Sequence, residues 1–483
     1  MLSATLPIHV AIGVVSLWLL LGIAGVARPW KYRFISHVLF PLGAAGALVL
    51  GVAALAALQG APTAVVLPIG LPDLPFHLRL DSLSAFFLFL LAIAVIGISL
   101  FSAGYLRRGE GTAPGLLCLY YHVFLSAMVL VLLADDAYAF MVAWETMAMS
   151  SYFLVTSNHR IAEIRAAGFL YLLIAHIGAI AILLCFGVLR GPEGDYTFDA
   201  MRGKELSNAW ASIAFVLALF GFGAKAGLLP LHAWLPEAHP AAPSPVSALM
   251  SGVMLKTAIY GLLRVAFDLL PLQIWWWGVL ALVLGLLTAL FGVMFAAVQT
   301  DMKRLLAYSS VENIGIIFAG VGLTLIFHAY GNPPLAALAL LATLYHCLNH
   351  ACFKSLLFLA TGSVLHATSE RSLGKLGGLV HRMPWVAALS LVGTLAIAGV
   401  PPLNGFVSEW LLLQAFLFSP GLPNPYLNML VPVAAGALVL AAALSGYVMV
   451  KFYGVIFLGQ PREAKLVEAH DGGPWECAGL AWL

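Results

Sequence analysis

The stretch Tyr345-His346-Cys347-Leu348-Asn349-His350-Ala351-Cys352-Phe353-Lys354 sets two imidazoles and an ammonium at i, i+4 and i+8. Each step of four residues advances about 40° past a full helical turn, so His346, His350 and Lys354 share one face and span about 12 Å. Two histidines at this spacing suit a metal, but a metal site would also want a carboxylate or thiolate close by. The third member here is a lysine, which repels a cation. A chain of proton carriers fits the set better.

Four more ionisable residues lie inside apolar runs. Glu145 sits well within Ala137–Met149, too deep to reach an interface by snorkelling. Lys225 lies in Gly221-Phe222-Gly223-Ala224-Lys225-Ala226-Gly227, ahead of Pro230 and Pro236, which predicts an interrupted helix with freed backbone groups. Lys256 is midway along the next run, with Arg264 as the only nearby charge, so it needs a partner across the bundle or must lose its proton. Glu409 follows Gly399-Val400-Pro401-Pro402-Leu403-Asn404-Gly405, a second interruption beside a charge. Ionisable groups at membrane depth cost roughly 2.5–3.5 kcal/mol or more each, which makes each one a functional candidate. Two broken helices at corresponding places in two halves are the usual pointer to a transport site in inverted-repeat proteins.

The elements that must hold these residues follow from composition. Of 483 residues, 62% are hydrophobic and only 9% charged, against about 25% charged in soluble proteins. Apolar stretches long enough to cross a bilayer recur from end to end. They predict an all-α polytopic bundle of about 13 transmembrane helices, near residues 8–27, 34–59, 82–106, 115–133, 138–157, 166–189, 210–236, 245–266, 275–299, 305–327, 336–365, 384–418 and 429–458, with no strand pattern. The first run lacks a basic n-region and reads as a retained span, not a cleaved signal peptide. No loop is long enough for a soluble domain, and no Walker loop, GxGxxG or HExxH occurs. A net charge of +2 with dispersed lysines and arginines gives no case for nucleic acid. The five cysteines, Cys118, Cys185, Cys347, Cys352 and Cys477, lack metal-site spacing and read as structural.

Basic residues orient the bundle. With the N-terminus periplasmic, the cytoplasmic loops hold Arg28, Lys31, Arg33, Arg107, Arg108, Arg160, Arg165, Lys303, Arg304, Arg371, Lys375, Arg382, Arg462 and Lys465. The opposite loops hold Arg79, Arg190, Arg202, Lys204 and Arg264, a ratio of 14 to 5. A weak internal repeat accompanies this. Tyr171 and His176 match the spacing of Tyr345 and His350, and each half offers a Glu-bearing run (Glu145, Glu312), a Tyr-x4-His run and a broken run. The chain divides accordingly into N-terminal helices (1–114), two inverted five-helix repeats (115–270 and 271–460) and a tail (461–483). The tail, ending in Gly472-Gly473-Pro474-Trp475 and a short apolar scrap, reads like a loop cut off before another helix.

The runs from Leu80-Asp81-Ser82-Leu83-Ser84 through Trp144-Glu145 and Lys225 to Glu409 resemble the antiporter-like subunits shared by respiratory complex I, Mrp-type cation/proton antiporters and group 4 membrane-bound nickel–iron hydrogenases. Leu229-Pro230-Leu231-His232-Ala233-Trp234-Leu235-Pro236-Glu237-Ala238-His239 is the most specific block, and Pro401–Trp410 is most similar to the formate hydrogenlyase and hydrogenase branch. Many members carry lysine where Glu409 stands; the hydrogenase branch carries glutamate. The resemblance makes Glu145 the partner of Lys225 and Lys256 the next relay point. It makes His346, His350 and Lys354 the central link and Glu409 the exit. It implies a proton-translocating inner-membrane subunit that binds no cofactor itself, with partner subunits carrying nickel–iron and iron–sulfur centres. Hydrogenase-type members continue with further helices. A carboxylate that approaches or leaves a buried ammonium changes which protonation state is favoured, and moving one charge against 100 mV costs about 2.3 kcal/mol. The rival readings are an Mrp-type sodium/proton antiporter subunit and a non-pumping membrane anchor for hydrogenase subunits.

Overall fold

The computed structural model describes residues 2–106, 112–271, 274–419 and 421–483, so Arg107 and Arg108 of the cytoplasmic set lie outside the described residues. The chain forms two compact units. The first comprises Met1–Ala226, Ala241–Pro271 and Gly473–Leu483, the second Gly227–Pro240 and Leu272–Gly472. Eleven described helical segments are long and apolar enough to span a membrane, and this is a membrane protein with an all-α transmembrane architecture.

The two remaining sequence-predicted spans take other forms. Ala137–Val155, which carries Glu145, is a single 19-residue helix. The run at 384–418 is two 14-residue helices, Pro384–Ile397 and Asn404–Leu417. Between them Gly399 takes a φ of +64°, a left-handed conformation that glycine adopts without a Cβ penalty. At the other expected interruption, a helix ends at Ala226 and Gly227 has a φ of +85°.

One expectation fails. An antiparallel hairpin stands where no strand was foreseen, pairing β1 (Thr63–Leu71) with β2 (Leu74–Leu80), Thr63 opposite Leu80 and Leu67 opposite Phe76. β2 does alternate, with Leu74, Phe76, Leu78 and Leu80 separated by Pro75, His77 and Arg79. Period two over so few residues is hidden among long apolar runs. The hairpin is tied down at its end, because the buried Asp136 carboxylate accepts from His77 N–H at 2.7 Å while capping the Ala137–Val155 helix through Ala139 N–H.

Glycines set helix spacing in both units. In the first, a Cβ on Gly178 would lie 2.9 Å from Gly221 O, and one on Gly221 2.7 Å from Gly178 O. The helices Ala162–Arg190 and Asn208–Ala226 therefore meet backbone to backbone, the close approach that small residues permit between membrane helices. In the second unit Gly278, Gly285 and Gly292 of Trp275–Val298 face Gly315, Gly322 and the backbone of Glu312 on Met302–Ala329 at 2.4–2.7 Å from any added Cβ. Around these contacts Leu282, Ala289, Ile316, Ala319, Leu323, Ala339 and Leu412 form a buried apolar core. The tail residues Pro474–Trp482 form a helix packed against Ser82–Tyr105, with Trp482 Nε1 donating to Ile93 O at 2.9 Å. All five cysteines are free thiols.

Candidate functional site: two sets of ionisable side chains

In the first unit the glycine contact between Ala162–Arg190 and Asn208–Ala226 brings Tyr171 beside Lys225. Both are buried, at 1% and 2% exposure. Lys225 Nζ donates to Tyr171 Oη at 2.7 Å and lies 4.8 Å from the ring centroid. A hydrogen bond to a charged group is worth about 1.5–3 kcal/mol, which offsets much of an insertion cost of about 3 kcal/mol for a lysine at membrane depth. Ser151 Oγ lies 2.6 Å from Tyr171 Oη and fixes the ring from the neighbouring helix.

Glu145 is placed differently from the expectation that it pairs directly with Lys225. Its carboxylate lies 3.4 Å from His176 Nε2, on a partly open face where the two side chains are 35% and 47% exposed. Its charge still reaches Lys225 and Tyr171. Glu145 and Lys225 are thus near neighbours held by separate partners.

Lys256 is 1% exposed. Its ammonium donates to Ser251 O at 2.6 Å, five residues back on its own helix. This bond lies within the helix, where Met250–Met254 winds as a π-helix. A π-turn displaces carbonyls from the regular ladder and leaves them able to accept side chains.

Arg264, expected as a simple helix-end residue, is the centre of a cluster. Its guanidinium donates to Asp81 Oδ2 at 2.6 Å, Asp81 Oδ1 at 2.9 Å and Asp268 Oδ2 at 2.9 Å, and contacts Tyr260 Oη and Ser84 Oγ. Arg202 extends the chain of charges to Asp268 and Asp135. Asp81 stands just ahead of the Ser82–Tyr105 span and caps it through Ser84 N–H. Burial raises its pKa, but the Arg264 hydrogen bond and charge outweigh burial and hold the carboxyl at about 2.

In the second unit the Pro333–Thr368 helix carries His346, His350 and Lys354 on one face, as their spacing predicts, none more than 1% exposed. His346 lies between Ser408 Oγ at 3.0 Å and Asn313 Oδ1 at 3.1 Å, and the two imidazole rings are 6.5 Å apart and nearly parallel. Lys354 Nζ donates to Leu306 O at 3.0 Å. Glu312, 1% exposed, accepts from Ser309 Oγ at 3.1 Å, and its charge and that of Lys354 act on each other. Sequence reasoning saw Glu312 only as a repeat feature; a carboxylate inside the 305–327 run was the signal that places it in the site. Glu409 is half-buried at the helix break. A Cβ on Gly399 would come within 2.7 Å of Glu409 Oε2, so the glycine makes the room its carboxylate occupies. Asn349 Nδ2 donates to Asn404 O at 2.7 Å and anchors the broken helix to the histidine helix. Lys303, expected in a loop, is also buried, in the first turn of Met302–Ala329. Among the described residues no group of three or more His, Cys, Asp or Glu is arranged to hold a metal ion.

Residues 134–422 match the family described as NADH:quinone oxidoreductase/Mrp antiporter, TM. Hydrogenase-4 component B of Escherichia coli (strain K12) is 43% identical over 399 residues, covering 82% of this chain and 59% of that protein. Formate hydrogenlyase subunit 3 of the same organism is 36% identical over 427 residues, covering 87% of this chain and 67% of that protein. The chain therefore spans roughly three fifths to two thirds of the length of these relatives. Among solved structures, a chain of the membrane-bound sulfane sulfur reductase, an archaeal respiratory membrane complex, superposes with a TM-score of 0.78 at 27% identity, covering 96% of this chain and 74% of that one.

Proposed function

We propose that this chain, which belongs to the NADH:quinone oxidoreductase/Mrp antiporter transmembrane family, moves protons across a membrane as a subunit of a hydrogenase- or formate hydrogenlyase-like redox complex. The observation that carries this reading is the enclosed set His346, His350, Lys354 and Glu312, none more than 1% exposed. Four titratable side chains shut away from solvent, within a unit made of membrane spans, are costly to keep there. They can give and take protons in place, and their cost is understandable if that is their work.

In this reading Glu145 and Lys225 exchange proton and charge in the first unit, with Lys256 the next carrier. His346, His350 and Lys354 carry the proton in the second unit, Glu312 is the counter-charge to Lys354, and Glu409 serves the exit. The driving redox reaction belongs to partner subunits, which supply nickel–iron and iron–sulfur centres, and the N-terminus is periplasmic in the inner membrane. The boundaries 115–270 and 271–460 mark two transport repeats.

The test uses the native complex extracted gently from its membrane and returned to sealed vesicles. Neutralising Lys225, Lys256 and Glu409 together should leave redox turnover intact and stop proton movement. Undiminished proton movement would reduce the chain to a membrane anchor. Nickel co-purifying with iron–sulfur protein would support the hydrogenase-type assembly; iron–sulfur and flavin without nickel would favour a complex I-like one. The family also includes Mrp antiporters, and proton flux that depends on sodium without redox turnover would favour that reading.

A further inference from the structure

We infer that Tyr171 is a positioning residue for proton transfer in the first unit: it gives the Lys225 ammonium a berth apart from Glu145. The inference rests on the proposed proton role of Lys225. Two contacts make the berth. Lys225 Nζ donates to Tyr171 Oη at 2.7 Å, and Ser151 Oγ pins the phenol at 2.6 Å. Met254 Sδ closes the far side, 3.6 Å from Tyr171 Oη. The carboxylate that would otherwise take the ammonium is engaged with His176 at 3.4 Å, although its charge is felt at Lys225.

A buried ammonium with one carboxylate as its sole neighbour would stay locked in that pair, since separating the two in a low-dielectric interior is costly. A neutral hydroxyl, itself held by Ser151, supplies a second resting place without a second charge. Lys225 then has two positions of comparable energy, and a proton carrier needs both. Tyr171 does not itself need to carry the proton. It keeps Lys225 from being captured.

Tyr171→Phe keeps the ring and removes the hydroxyl, so the packing survives while the berth is weakened. In vesicles of the native complex this variant should slow proton movement about tenfold with redox turnover retained. Its infrared signature separates positioning from packing. The Glu145 carboxylate band, identified by its loss in Glu145→Gln, should shift in Tyr171→Phe as the lysine moves onto the carboxylate. The losses should also be non-additive, the Tyr171→Phe/Glu145→Gln double variant being no slower than Glu145→Gln alone. Ser151→Ala should shift the band in the same direction by less. An unchanged rate in Tyr171→Phe, or a slowed rate with an unmoved Glu145 band, overturns the inference. Lys225→Ala run alongside separates the two levels: proton movement that survives that change sinks the functional reading, whereas its loss beside a normal Tyr171→Phe sinks only the berth.

Discussion

In the first unit Glu145 stands on a partly open face with His176 while Lys225 is enclosed by Tyr171, so acid and base are near each other but separately held. In the second unit the carboxylate, the lysine and both histidines are all shut in, and the half-buried Glu409 stands at a helix break beside them. The contrast separates two ways of keeping charge at membrane depth. A pair on the outer face of the bundle at mid-span is not enclosed by its own chain, so its two members depend less on one another. An enclosed set must balance its charges internally, so its members depend on one another. The weak sequence repeat makes the same point. Tyr171 is buried where its counterpart Tyr345 is partly exposed, and His176 is exposed where His350 is fully buried. Matching spacing does not confer matching surroundings.

The largest expected effect sharpens the enclosed side. Lys354→Ala strips Glu312 of its counter-charge and should destabilise the chain by about 3 kcal/mol, the lower end for a buried charge left alone. Adding Glu312→Gln should recover most of this loss. Thermal unfolding of the purified full chain would measure both, and a single variant as stable as the double would show that the two residues are not interdependent.

A somewhat smaller effect is expected at the charge cluster of the first unit. Asp81 is held at about 2 against an ordinary 3.8, and each pKa unit is worth about 1.36 kcal/mol. A carboxyl whose pKa is lowered by folding adds stability that is fully present above its unfolded value and lost as pH falls through its folded one. Asp81→Asn should therefore cost roughly 2 kcal/mol at neutral pH and flatten the decline in unfolding temperature between about pH 4 and pH 2. An equally steep decline in the variant would take Asp81 out of the acid response. The smallest change belongs to the outward-facing pair. His176→Ala buries no charge alone, so it should lower the unfolding temperature less than either variant above and should slow proton movement far less than Lys225→Ala. A loss as large as that of a buried charge would erase the distinction between the units.

What could be read in advance follows from the same physics. Lys225, Lys256, Lys354 and Glu409 stand out in apolar runs because a charge there has no inexpensive explanation, and the face shared by His346, His350 and Lys354 follows from helix geometry alone. The breaks at Gly227 and Gly399 are announced by clustered glycine and proline. Partners distant in sequence are not announced. Arg264 meets Asp81 across 183 positions, and Lys225 meets Tyr171 across 54, contacts that only packing decides. Lys256 bonding to Ser251 depends on a π-turn that no residue pattern marks. The β2 alternation was visible, but seven residues between membrane spans are easily absorbed into a loop.

The central claim is that the buried ionisable residues carry protons, and proton flux into sealed vesicles holding the native complex, with and without Lys225→Ala, tests it most directly. The variant should insert and assemble normally, keep redox turnover and lose proton movement. Full proton movement in that variant would contradict it.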